Sequence, residues 1–432
     1  MRTVTAAILA AALLGAPAGC QPTPERIATW KGTQKGPGKL RELAQDEVAD
    51  PRLRALAIAA LVEIGEGFSA TRDLAGTAPA AKGAIAREAV APLAALLGPS
   101  LDGPVPTTPA QRAAKDALFV LRADAAPPDR ARIDALLVKW IAADLAARAS
   151  QGGESSEKIL LAIGASAASA LVPIAQPGPN LVEAARLLGE LGDRDAAQRA
   201  AAPLVAGARA ASGNVPEPVL VAIGLLGSAP ATAFLLELAQ HGPVDGRKRA
   251  LYALAQGRLS AGDEKALAGA LAIAADAHAA VGAREAAFQV IEKVGPAAVG
   301  GCVRLFRDPN TTVRFRAVEA ALKAGGAGAI ARVLPALPED RPITSEDLDS
   351  LVVHDLDLLG KEALPALAEA ARHPPALGQI AALRALARRG GPKEAQVAAG
   401  LAAETTVCGV LRPPSNVGDE ARRAQAAIER RR

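Results

Sequence analysis

Few side chains here suit metal binding or proton transfer near neutral pH: four histidines and three cysteines in 432 residues. His241 precedes Gly242-Pro243, His278 lies in an Ala-rich run, and His373 precedes Pro374-Pro375, so each reads as a polar residue on or at the end of a helix. None belongs to a His-Glu pair or a His-x-x-x-His pattern, and no Cys-x-x-Cys occurs, so the spacings that hold zinc or di-iron are missing. His354 has the richest surroundings. It lies in "TSEDLDSLVVHDLDLLG" (344–360), where Glu346, Asp347, Asp349, His354, Asp355 and Asp357 crowd one expected helix. Thr344 and Asp347 have capping-box spacing, and early acids suit the positive end of the helix dipole. The rest of the stretch is expected to be an acidic interaction patch for a cation or a basic partner strip. No Gly-x-Ser-x-Gly, Walker-type loop or dinucleotide fingerprint between a strand and a helix is present, so no catalytic residue, metal or cofactor is assigned.

What must position these residues is helical. Half of the chain is hydrophobic but only 2% is aromatic, so the apolar content is Ala, Leu, Val and Ile. That profile favours helices over sheets, and long Val/Ile/Thr alternations are missing. Counting from Arg314, small and apolar residues fall at Ala317, Ala321 and Ala324, and Gly325 follows. The same offsets run from Arg54 to Ala57, Leu61, Ile64 and Gly65, and from Arg284 to Ala287, Ile291, Val294 and Gly295. Such spacings run down one helix face, and the glycine sits where a helix ends in a left-handed residue. Glycines 164, 192, 227, 257, 295, 325, 360 and 390 recur, with a mean interval of 33 residues between Gly192 and Gly390. The rest of each interval holds a second helix, often marked by a proline (92, 173, 203, 335 and 365) that either bends it, at a common point in each repeat, or sits in its first turn. Residues 66–81, 98–108 and 338–345 read as loops.

A 33-residue period with two helices per unit is an α-solenoid signature. "DPRLRALAIAALVEIG" (50–65), "AREAAFQVIEKVG" (283–295) and "DPNTTVRFRAVEAALKAG" (308–325) resemble the HEAT repeat of the short bacterial, PBS-lyase-like type, the last with two extra residues after Asp308. The resemblance implies an all-α, curved solenoid of about ten antiparallel helix pairs over 38–404. A C-terminal loop and capping helix would follow over 405–432. It also implies a binding strip on the exposed positions of the Arg-led helices, with Arg316, Glu63, Glu190, Glu292 and Lys293 beside them. Arg54, Arg284 and Arg314 are expected instead to pair with acids of the neighbouring repeat, as rungs of a structural ladder. The fold hosts unrelated functions. The reading is a non-catalytic protein-binding scaffold; an enzyme or enzyme subunit with a lyase-like site in the groove is the alternative.

The segment "MRTVTAAILAAALLGAPAGC" has one positive charge, an apolar run from Ala6 to Leu14, and small residues up to Cys20, which reads as an export signal over 1–19. Ala18-Gly19-Cys20 resembles the end of a bacterial lipobox, with Pro17 where an aliphatic residue is usual; an ordinary cut after Ala18 is the other reading. Lipidation of Cys20, a flexible tether over 20–37, and a bacterial envelope location, outer membrane favoured, are the expectation. A cytosolic scaffold whose N-terminus mimics a signal is a further alternative. Cys302 and Cys408 lie about three repeats apart, about 25–30 Å by helix-layer spacing, beyond a disulfide's ~7 Å reach. The net charge of +4 comes from interleaved acids and bases without aromatic platforms, so nucleic acid is not an expected partner. Nor is a small-molecule substrate.

Overall fold

The structure, a computed structural model, describes residues 22–97, 108–147, 156–211, 214–259, 263–373 and 375–431. Cys20 and the export signal lie outside the described residues, as does nearly all of the loop expected at 98–108. The described residues are overwhelmingly helical, and the chain divides into two compact units, Met1–Ile174 and Ala175–Arg432, where one array over 38–404 was expected.

In the first unit, helices begin on prolines that follow a side-chain cap: Thr23 before Pro24, Asp50 before Pro51 and Thr108 before Pro109. Proline lacks an N–H that would be orphaned there, and the cap oxygen accepts one that would. The tether expected over 20–37 is corrected. Pro24–Trp30 is a helix packed on Gly36–Gln45 and Pro51–Glu63. Its Ile27 is 4% exposed, a burial worth roughly 1.5–3 kcal/mol, which a solvated tether could not gain. The loop expected at 66–81 is corrected as well: Gly67–Gly76 is a helix that buries Ala70 and Leu74, and Pro79–Leu97 follows.

The second unit has the two-layer order of a helical solenoid. Leu181–Leu191, Glu217–Leu226, Val244–Gln256, Val281–Val294 and Thr311–Gly325 each pack on the next. The intervening helices Arg194–Ala210, Ala229–His241 and Glu264–Ala275 form a second layer in the same way. The first layer is drawn together by missing side chains. A Cβ on Gly224 would stand 2.1 Å from the carbonyl oxygen of Ala253, and one on Gly257 would stand 2.4 Å from that of Gly224.

The glycine stops are partly as expected: Gly192 (φ 73°) and Gly227 (φ 58°) end their helices left-handed. Gly257 and Gly390 instead have φ −72° and −62°, and Gly326 rather than Gly325 takes the positive φ. The common proline bend is corrected too. Only Pro92 and Pro203 lie inside long helices, whereas Pro365 sits in a first turn and Pro173 and Pro335 fall after the short helices Ala168–Leu171 and Ile330–Val333. Those positions need no backbone donor, so proline is accommodated there without a kink.

The tail does more than cap. Ile343–Thr344 pairs in parallel with Leu411–Arg412, and Val407–Cys408 pairs antiparallel with Ser415–Asn416. Helix Val417–Glu429 then packs on Ala376–Arg389 and Pro392–Gly400, with Asp419 and Glu420 in its first turn. Cys302 and Cys408 are both buried and unbridged.

Candidate functional site

The second unit has an open cleft of about 1020 Å³ that crosses three successive helix pairs. Its floor is made by the ends of first-layer helices at Leu188, Gly189, Leu226 and Gly227; its walls come from Arg194–Ala210, Ala229–His241 and Glu264–Ala275. Small residues, Ala197, Ala229, Ala233 and Ala268, keep it open.

The charges on this lining divide by sign. Asp193 and Asp263 cap helices, accepting from the Ala196 and Ala266 amides at 2.9 and 3.0 Å. Glu237 is paired with Arg209 at 2.8 Å. Arg194, Arg258 and Lys265 are exposed, and their side chains have no ion pair or hydrogen bond among the described residues. Arg258 is nonetheless placed. Its stem crosses two glycines, so that a Cβ on Gly189 would meet its Cδ at 2.7 Å and one on Gly227 its Cβ at 3.1 Å.

Ser228, at the same lining, is the residue before helix Ala229–His241, yet its Oγ is buried, caps nothing and has no partner among the described residues. Ser228→Ala is therefore expected to raise stability by about 0.5–1 kcal/mol in urea unfolding, since an unsatisfied hydroxyl is removed. A working serine cap would give a loss of about 1 kcal/mol instead.

A second group joins three other helices. Glu292 meets Arg316 at 3.2 Å and Lys323 at 3.8 Å, and Glu319 pairs with both cations. Burial raises the Glu292 carboxyl, and burial, with Glu319 nearby, pushes Asp355 from 3.8 up to about 6. Burial, with Glu292 adding, pushes the Cys302 thiol up to about 12, so it stays protonated and unreactive. Because Asp355 keeps its proton longer folded than unfolded, its contribution is full below about 3.8 and is lost as pH rises through about 6. Asp355→Asn is expected to stabilise by about 1 kcal/mol at neutral pH, after discounting for solvent screening, and to change nothing in acid. Urea unfolding of both proteins across that pH range checks the sign.

The acidic patch expected at 344–360 is corrected. Thr344 and Asp347 do form a capping box, but the helix passes through a π turn at Asp349–Val353 that parts its acids. Arg384 and Arg388 hold Asp349 at 3.0 and 3.5 Å, and Arg389 holds Asp357 at 2.6 Å. Glu346 and His354 are exposed, and Asp355 belongs to the Glu292 group. Two of the five acids, Asp349 and Asp357, are thus spent on the neighbouring helix Ala376–Arg389.

The arginine ladder is corrected in two of three places. Arg284 alone reaches an acid of the next repeat, Asp308, with side chains 3% and 7% exposed, and its Nε donates to the Ala274 carbonyl at 2.7 Å. Arg54, 2% exposed, makes the matching bond to the Ala44 carbonyl at 3.1 Å but no ion pair among the described residues. Arg314 turns back on its own turn, donating to the Asp308 carbonyl at 2.8 Å and to Thr311 Oγ1 at 2.9 Å. The shared role is different from the expected one. A long side chain early in one helix satisfies a carbonyl at the end of the helix before it, as Gln111 does for Leu97 and Gln379 for Ala371.

Of the expected strip, Arg316 and Glu292 meet, while Glu63 pairs with Lys31, Glu190 with Arg186, and Lys293 donates to the Gly257 carbonyl. Sequence reasoning missed Arg194, Arg258 and Lys265. A signal was present: Arg194 and Lys265 are cations in the first turns of helices, where the dipole favours acids.

No protein-family model matches the chain, and no curated protein matches it. Among solved structures it is similar to a chain in a homology model of the full-length AP-3 complex, at TM-score 0.38 and 10% identity, covering 94% of this chain and 83% of that one. It is also similar to a Kap121p mutant, at TM-score 0.32 and 11% identity over 93% of this chain and 46% of that one. A third likeness is to the UNC-45 chaperone, at TM-score 0.25 and 14% identity over 94% and 52%. The chain spans about half the length of the latter two. The solenoid architecture rests on this chain's own helix contacts, not on these likenesses.

Proposed function

We propose that this chain is a non-catalytic scaffold that binds a partner protein in the cleft between Arg194–Ala210 and Glu264–Ala275. The observation that carries the reading is the cleft itself: three repeats leave open a long surface lined by small, polar and a few leucine side chains. Solenoids offer such surfaces because each repeat covers only its neighbours. Ala233 is exposed on the lining, so Ala233→Arg fills the cleft without disturbing the core. Affinity capture with the wild-type chain and this variant, compared by quantitative mass spectrometry, should show a protein retained by the first and lost by the second. Identical retention contradicts the reading.

The setting proposed is the bacterial cell envelope, with a lipid on Cys20 as anchor, on the strength of the N-terminal sequence. No helix among the described residues is long and apolar enough to cross a membrane. Intact-mass analysis of the mature N-terminus decides it: a diacylated Cys20 supports anchoring, Gly19 as first residue means plain secretion, and an intact Met1 rules out export.

A further inference from the structure

We infer that the cleft takes an extended, carboxylate-rich segment of the partner protein, held by Arg194, Arg258 and Lys265. This rests on the protein-binding reading above and adds the chemistry of what is bound. The three acids of the lining are already engaged, two as helix caps and Glu237 by Arg209, while the three cations are unpaired among the described residues. An apolar occupant would strip water from those cations without pairing them, and a basic one would be repelled. Two of the cations stand in the first turns of Arg194–Ala210 and Glu264–Ala275, where the helix ends are already served by the caps Asp193 and Asp263. Arg258 is held over Gly189 and Gly227, which reduces the entropy its guanidinium loses on pairing.

The dimensions fit an extended chain. Three second-layer helices at about 8–10 Å spacing span roughly 16–20 Å between outer axes. At about 3.3 Å per residue that length accommodates about six residues of extended peptide. Carboxylates spread along that length would then meet Arg194 from the first helix pair and Arg258 and Lys265 from the third. No Phe, Tyr or Trp lines the cleft, so the stacking platform that single-stranded nucleic acid uses is missing from it.

The test is fluorescence anisotropy with the full purified chain and a labelled twelve-residue peptide of alternating Glu and Ser, beside a Lys/Ser peptide and a single-stranded oligonucleotide of equal length. The acidic peptide should bind saturably and the basic one should not. Arg194→Ala, Arg258→Ala and Lys265→Ala should each weaken binding about threefold, and the triple variant about thirtyfold, with steep loss on added salt. All three sites are exposed, and an unchanged thermal melt shows that the variants fold. No acidic binding below about 1 mM, an unaffected triple variant, or tighter binding of the oligonucleotide overturns the inference. If the triple variant still captures the same partner that Ala233→Arg loses, this inference fails while the scaffold reading stands.

Discussion

Arg284→Ala is expected to cost about 3–5 kcal/mol, among the largest losses from a single polar side chain in this molecule. The guanidinium ties Asp308 of the next repeat to the Ala274 carbonyl, in a site where both charged side chains are nearly solvent-free. Removing it leaves a buried carboxylate with only the Asn310 amide to bond it, and the Ala274 carbonyl without its guanidinium donor. Arg314→Ala, at the same register of the following helix, should cost only about 0.5–1 kcal/mol, because its partly exposed partners can turn to solvent. Arg284→Met combined with Asp308→Leu should recover part of the loss, since an apolar pair removes both desolvated charges together. Urea midpoints with unchanged slopes measure all four proteins. Equal effects of Arg284→Ala and Arg314→Ala would show that the buried pair has no special weight.

Gly224→Ala is the second large effect, in the direction opposite to what helix propensity suggests. Alanine in a helix interior is ordinarily favoured over glycine by about 0.5–1 kcal/mol. At Gly224 the new methyl would stand 2.1 Å from the Ala253 carbonyl oxygen, and the obstacle is backbone rather than a side chain that can rotate. The helices Glu217–Leu226 and Val244–Gln256 must separate to admit it, with an expected loss of about 3 kcal/mol or more. Gly207→Ala supplies the contrast. That glycine lies inside Arg194–Ala210 with nothing within 4 Å of a Cβ, so the substitution should stabilise by about 0.5–1 kcal/mol. Differential scanning calorimetry should move the two variants in opposite directions. A shared direction would mean that propensity and not close approach governs these glycines.

These two cases mark where sequence legibility ends. The stripe from Arg54 through Ala57 and Leu61 to Ile64 was readable because it is a property of one helix, and Pro51–Glu63 forms there. Thr344 with Asp347 was readable for the same reason, being a contact between residues three apart. The tether at 20–37 was misread because its apolar content is sparse, yet Ile27 and Trp30 suffice when Gly36–Gln45 and Pro51–Glu63 offer a surface. The need for glycine at Gly224 was not legible, because its reason lies in a neighbour 29 residues on. The acidic run at 344–360 looked like a free patch because its counter-charges, Arg384, Arg388 and Arg389, arrive from another helix. The cleft was illegible altogether, since it is defined by what three repeats leave uncovered. Two of its cations, Arg194 and Lys265, were visible only as charges on the wrong ends of helices.

The central claim is that a partner protein occupies the cleft across three repeats of the second unit. Site-specific photocrosslinking in the native cells tests it most directly, with the photoreactive residue placed in turn at Gln198, Ala233 and Gln240 on the lining and at exposed Lys393 away from it. The account predicts that the three lining positions yield one and the same protein adduct and that Lys393 does not. Adducts at Lys393 alone, or no adduct at any lining position while the purified chain turns over a metabolite, would contradict it.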